Sequence, residues 1–233
     1  MKPTTILLTR LKRLTLAAAV LGLGVLTGCA TKAPAYDYTA FMKAKPATLL
    51  VMPPVNESPE INATSGVWSH ATRPLAEAGY YVLPVTLVDE TFRQNGITTA
   101  HDAQDIPLNK LREFFGADAA VYIKVKKYGT SYAVISSETR VEVDARIVDL
   151  RNGDLLWQGS AAATSAEQQQ QSQGGIVGLL VTAIVKQVIG TATDASYTYA
   201  GIANQRLLGA PRYNGVLPGP RSPDYGKPPV AAQ

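Results

Sequence analysis

Cysteine is all but missing from this chain: Cys29 stands alone, and only two histidines, His70 and His101, accompany it. That scarcity excludes a disulfide framework and any zinc module built on repeated Cys or His pairs. Nor does the sequence contain HExxH, CxxC, a carboxylate-rich metal loop or a Gly-x-Ser-x-Gly elbow. Gly174-Gly175 precedes an apolar run but lacks the Gly-Lys-Ser/Thr that completes a phosphate loop. No catalytic residue, metal ligand or cofactor site is therefore expected. Acidic residues are also absent ahead of Asp37, while Lys2, Arg10, Lys12 and Arg13 make the start positive. Those four residues account for the whole net charge of +4: 22 basic residues less 4 leaves 18, against 18 acidic. A nucleic-acid partner, which calls for a basic surplus on the working domain, is excluded on that balance.

What the start does contain is an apolar segment from Leu14 to Leu26, followed by Thr27, Gly28 and Cys29. Spanning a bilayer takes about 20 apolar residues, so the run suits the apolar region of an export signal over 1–28 instead. Leu26-Thr27-Gly28-Cys29 resembles the lipobox of bacterial lipoproteins. The resemblance implies cleavage before Cys29, a diacylglyceryl group on its thiol and a palmitate-type acyl group on its new amino end. Several acyl chains anchor firmly, at about 0.8 kcal/mol per buried CH2. An ordinary signal peptide with an incidental cysteine is the alternative. Ala30 occupies the position where Asp favours inner-membrane retention, so the resemblance implies the outer membrane, with the domain on its periplasmic face.

Residues 29–47 read as a tether bearing an aromatic patch, Tyr36, Tyr38 and Phe41, able to dock on the domain. Residues 210–233 hold six prolines and little aliphatic sequence, which predicts a tail that is extended or disordered unless a partner orders it. Between them, 48–209 read as one α/β (α+β) domain: a mixed parallel and antiparallel sheet with packed helices, in the order β-α-β-α-α-β-β-β-α-α. A buried strand is expected over 48–56 and a helix over 64–78, with Trp68, Leu75 and Ala78 on one face. A strand over 80–85, a short helix around Val88 and Phe92, and a helix over 107–115 follow. Strands 119–127 and 140–150 alternate, with Val121, Ile123, Val125 and Val141, Val143, Ala145, Ile147 inward. Asn152-Gly153 predicts a type I′ hairpin into a strand over 155–160. Ile176 to Val185 reads either as a helix buried on the sheet or as one facing a second subunit or a membrane. Asp194 is expected to cap a last helix ending at Leu208.

Four phrases then resemble a recurring envelope module: Leu49-Leu-Val-Met-Pro-Pro-Val-Asn56, Gly79-Tyr-Tyr-Val-Leu-Pro84, Phe115-Gly-Ala-Asp-Ala-Ala-Val-Tyr-Ile123 and Val148-Asp-Leu-Arg-Asn-Gly-Asp-Leu-Leu-Trp157. The module is that of CsgG, LpoB and the TolB amino-terminal domain. More closely, the chain resembles a family of lipoproteins from a meningococcal surface-antigen screen, often encoded beside a CsgG-like lipoprotein. The resemblance implies a non-enzymatic interaction module in envelope assembly or secretion, with a CsgG-like lipoprotein as partner. A pore or secretion-channel component, or a cell-wall enzyme, is the other class. No pair of long amphipathic hairpins for a transmembrane barrel is present. Candidate contact residues are Trp68 and, in the apolar run, Ile176, Leu179, Leu180, Val181 and Ile184, the run being able to join a homo-oligomer.

Overall fold

Successive βαβ crossovers generate the parallel half of the fold. The computed structural model describes residues 34–132, 137–167 and 195–231. Its helices are α1 (Thr39–Ala44), α2 (Ala63–Glu77), α3 (Val85–Gln94), α4 (Ala100–Gln104), α5 (Leu108–Phe115) and α6 (Ala195–Leu208). Its strands are β1 (Thr48–Val51), β2 (Val55–Asn56), β3 (Tyr81–Val82), β4 (Ala119–Tyr132), β5 (Ser137–Asp149) and β6 (Leu155–Thr164). They form one mixed sheet in the order β3-β1-β4-β5-β6, with β2 also beside β4. β1 runs parallel to β3 and β4, whereas β4, β5 and β6 are antiparallel. The fold class is the one the alternating pattern predicts.

Leu49, Leu50 and Val51 are wholly buried, as befits a continuous apolar run in a parallel strand covered on both faces. The expected single strand over 48–56 breaks in two at Pro53 and Pro54, which have no N–H for the ladder. Met52 N–H still donates to the Val121 carbonyl at 3.0 Å, and Glu57 N–H to that of Val125 at 2.9 Å. The chain therefore stays alongside β4 across the break. Gly116, at φ +65°, ends α5, and Asp118 then accepts from the backbone N–H groups of Ala47 (2.9 Å) and Thr48 (3.0 Å). One carboxylate thus fixes where β1 begins.

α6 packs on β4, β5 and β6 and against α2. Asn204, fully buried, donates from Nδ2 to the carbonyls of Val67 (3.1 Å) and Ala200 (3.0 Å) and so pins the two helices together. The antiparallel half has its opposite face open, and there Lys124, Arg146, Gln158 and Ser160 are exposed.

Several expectations are corrected. Val85 belongs to α3, because Pro84 starts a helix and limits the strand before it to two residues. The β5–β6 connection is not a type I′ turn, which needs positive φ at two residues; here Gly153 alone has it, at +81°. Gly153 N–H closes on the Asp149 carbonyl at 2.9 Å instead. β4, β5 and β6 each run further than the alternation suggests, to Tyr132, from Ser137 and to Thr164.

The carboxy-terminal segment departs most from the sequence reading, while the aromatic patch near the start is docked on the domain. Tyr38 and Phe41 are buried in the core, and α1 packs on β6. The tail, expected to be extended or disordered, is folded against the domain through its described residues. Trp157 Nε1 donates to the Asn214 carbonyl (2.9 Å), and the Tyr38 hydroxyl donates to that of Gly215 (2.5 Å). Val216 is buried. Gly219 N–H donates to the Ala78 carbonyl (2.8 Å) and Arg221 N–H to that of Gly79 (3.0 Å). Proline removes donors but costs little entropy to hold in place, so a Pro-rich segment docks well where the remaining N–H groups find carbonyls. The run 176–189, Asp194, Cys29 and Leu26, Thr27 and Gly28 lie outside the described residues.

Candidate functional site

The open face of the sheet is floored by a regular grid of polar side chains. Across β4, β5 and β6 the register sets Lys124 beside Asp144 and Asp144 beside Ser160; one step away, Tyr122 lies beside Arg146 and Arg146 beside Gln158. The period of two puts these residues together on one face. Glu57, just after β2, bridges Lys124 (2.9 Å) and Lys126 (2.6 Å). Hydrogen bonds from those two lysines hold the Glu57 carboxyl below the usual range. The Arg146 guanidinium lies over the Tyr122 ring, 4.8 Å from its centroid, a cation–π contact. Burial pushes the Tyr122 hydroxyl up in pKa, and the Arg146 charge opposes the shift.

This floor lies in a trough of about 850 Å³ with walls on two sides. His101, Gln104 and Asp105 form one wall, on and just after α4. Thr99 starts that helix with a reciprocal cap. Its Oγ accepts from Asp102 N–H (3.1 Å) and donates to the Asp102 carboxylate (2.7 Å). Gln104 Nε2 then donates to the carbonyls of Pro53 (2.8 Å) and Ile123 (3.3 Å), tying the wall to the sheet. Tyr36 forms the other wall, its ring packed on Tyr38 with centroids 5.0 Å apart. Its N–H donates to Asn214 Oδ1 at 2.9 Å.

Trp68, expected on a binding surface, is a core residue. It is 8% exposed and its indole N–H donates to the Val51 carbonyl at 3.0 Å. Only its rim reaches a hollow of about 210 Å³ shared with Pro53, Phe92 and Ile97. The other candidates, Ile176, Leu179, Leu180, Val181 and Ile184, lie outside the described residues. The trough is what sequence reasoning missed. Alternation marks Lys124, Asp144 and Arg146 as outward-facing, but nothing local shows that α4 and Tyr36 wall them in. Of the two histidines, His101 is on α4, in what reads as a polar loop. His70 packs on Tyr197, ring centroids 4.2 Å apart, and burial lowers its pKa. Among the described residues no group of three or more His, Cys, Asp or Glu is placed to hold a metal ion.

The family model described as "Putative lipoprotein GNA1162-like" matches residues 36–221. A curated protein of Neisseria meningitidis serogroup B, "Putative lipoprotein NMB1124/NMB1162", is 48% identical over 190 residues, covering 82% of this chain and 87% of that one. The crystal structure of lipoprotein GNA1162 from Neisseria meningitidis superposes with a TM-score of 0.50 at 47% identity, covering 63% of this chain and 100% of that one. The carboxy-terminal domain of LpoB from Salmonella enterica is more distant, with a TM-score of 0.37 at 17% identity, over 50% of this chain and 82% of that one.

Proposed function

Because the chain belongs to the GNA1162-like lipoprotein family, we propose that it serves as a lipid-anchored accessory module of the bacterial envelope. Held through Cys29 at the outer membrane and facing the periplasm, it works without chemistry of its own, in assembly or secretion beside a CsgG-like lipoprotein. The observation that carries this reading is the reach of the family match. It runs from residue 36 to 221, across the whole described sheet and the first half of the docked tail, and the lipobox-like Leu26-Thr27-Gly28-Cys29 stands just ahead of it. Among the described residues no helix is long and apolar enough to cross a membrane; attachment in this reading falls to the acyl chains on Cys29.

The apolar run with Ile176, Leu179, Leu180, Val181 and Ile184 supplies the contact with a second copy. Glu167, the last described residue before it, is paired with Arg206 of α6 at 2.7 Å. Through that pair the helix that follows the segment holds the strand end that precedes it.

Crosslinking in intact cells followed by pull-down, comparing wild type with Cys29→Ala, tests the proposal. The expected result is recovery of a CsgG-like or other envelope lipoprotein, lost when the anchor is lost. Recovery of the protein alone, with unchanged fractionation of the Cys29→Ala variant, would overturn both the anchor and the assembly role.

A further inference from the structure

The trough differs from an ordinary solvated sheet face in being walled on two sides. Its cations are already engaged: Lys124 and Lys126 by Glu57, and Arg146 by the Tyr122 ring. Three acids, Glu57, Asp105 and Asp144, balance those three bases among the lining residues. A strongly charged ligand would therefore meet as much repulsion as attraction, and a phosphate or a nucleic acid has no cationic cluster to bind. By contrast, the side chains of Asp144, Gln158 and Ser160 make no hydrogen bond among the described residues, although all three line the trough; Asp144, partly exposed, feels the charge of Lys126 but is not hydrogen-bonded to it. They sit on the paired strands β5 and β6, in fixed register. Such a set offers a carboxylate acceptor, an amide with both donor and acceptor, and a hydroxyl. Tyr36 adds an aromatic ring at the side, and the volume falls in the range of about 300–1,000 Å³ typical of ligand sites.

We infer that the trough binds a neutral oligosaccharide, laid across β4, β5 and β6. Its hydroxyl or N-acetyl groups meet Asp144, Gln158 and Ser160, and one sugar ring rests against Tyr36. A neutral sugar matches this chemistry because its hydroxyls both donate and accept and it brings no charge for the balanced floor to repel. The inference stands independently of the lipid anchor and of any protein partner.

Isothermal titration of the full chain with the neutral tetrasaccharide of N-acetylglucosamine tests it, with the fully deacetylated, cationic tetramer and pyrophosphate as competitors of different chemistry. Saturable binding of the neutral sugar is expected. It should weaken by roughly tenfold or more in Asp144→Ala, as for a hydrogen bond to a charged group, and by about fivefold in Gln158→Ala. Exposed Tyr132, on the far end of β4, provides a control: Tyr132→Ala should leave binding unchanged. Because Gln158 lies on the surface, its variant tests the site without endangering the fold. No heat at millimolar sugar, equal binding by the Asp144→Ala and Gln158→Ala variants, or preference for the cationic tetramer or pyrophosphate would each overturn the inference.

Discussion

Replacing Gly79 by alanine should destabilise the protein through the docked tail, and the structure gives the size of the effect. Gly79 has φ +98°, and a Cβ there would lie 2.4 Å from the Ser222 nitrogen and 2.9 Å from the Gly219 carbonyl oxygen. Both are backbone atoms and cannot swing aside as a side chain would. The backbone conformation alone costs an L-residue about 1–2 kcal/mol. Pushing the tail away also breaks the Gly219-to-Ala78 and Arg221-to-Gly79 hydrogen bonds, at about 1 kcal/mol each. The total is about 3–4 kcal/mol, or roughly 6–16 °C in Tm for a domain of this size. Gly96 provides the control. Its φ is +78° but nothing lies within 4 Å of its would-be Cβ, so Gly96→Ala should cost only about 1–2 kcal/mol. Urea unfolding followed by circular dichroism measures both. In a chain ending at Pro218 the Gly79→Ala cost should fall to the backbone part alone. Equal costs at Gly79 and Gly96, or an undiminished Gly79 cost in the shortened chain, would refute the docked tail.

Other perturbations address the core, pH and assembly. Burial pushes the Asp149 carboxyl up, but hydrogen bonds from the Arg151 side chain and backbone and the charges of Arg151 and Arg112 more than offset this and hold it below the usual range. A lowered pKa gives stability that is fully present above the unfolded value and lost as pH falls through the folded one. Thermal stability should therefore drop below about pH 4, and less steeply in Asp149→Asn. Trp157→Phe removes the hydrogen bond to Asn214 and should cost about 1 kcal/mol, whereas Trp157→Ala should cost about 3–5 kcal/mol; both are read by denaturant melts. If the apolar run forms the subunit contact, Val181→Lys should yield a folded monomer by sedimentation, and an unfolded protein would assign that run to the core instead.

Elements with a clear period were legible in the sequence. α2, α5 and the inward residues of β4 and β5 lie within a few positions of where the apolar spacing puts them. The four quoted phrases led to the correct family, and one of them has a clear structural cause: Gly116 turns the chain and Asp118 holds the start of β1. α4 escaped because five mostly polar residues show no apolar period; its cap, Thr99 with Asp102, was the available signal. The type I′ reading of Asn152-Gly153 failed because the pair suits more than one turn, and the choice is made by how far β5 and β6 are offset. Trp68 was misplaced because an aromatic on an amphipathic helix looks the same whether its indole N–H faces water or the Val51 carbonyl. The tail was misread for a related reason, since its partners, Ala78, Gly79 and Trp157, are remote in sequence. The trough was legible only as alternation. Its walls arise from contacts between segments far apart in the chain, which no local pattern records.

The meeting of the chain ends at β6 has a consequence for how the protein fails. Tyr36 and Asn214 are bonded across 178 residues of sequence, beside the outermost strand of the antiparallel half. With α1 packed on β6 and Trp157 of that strand bonded to Asn214, these segments crowd an edge strand that could otherwise template another chain. Local opening of either segment exposes Tyr38 and Phe41 or Val216 and frees that flank while the rest of the sheet stays paired. Loss of the ends should thus appear first as polymerisation of still-folded molecules rather than as unfolding.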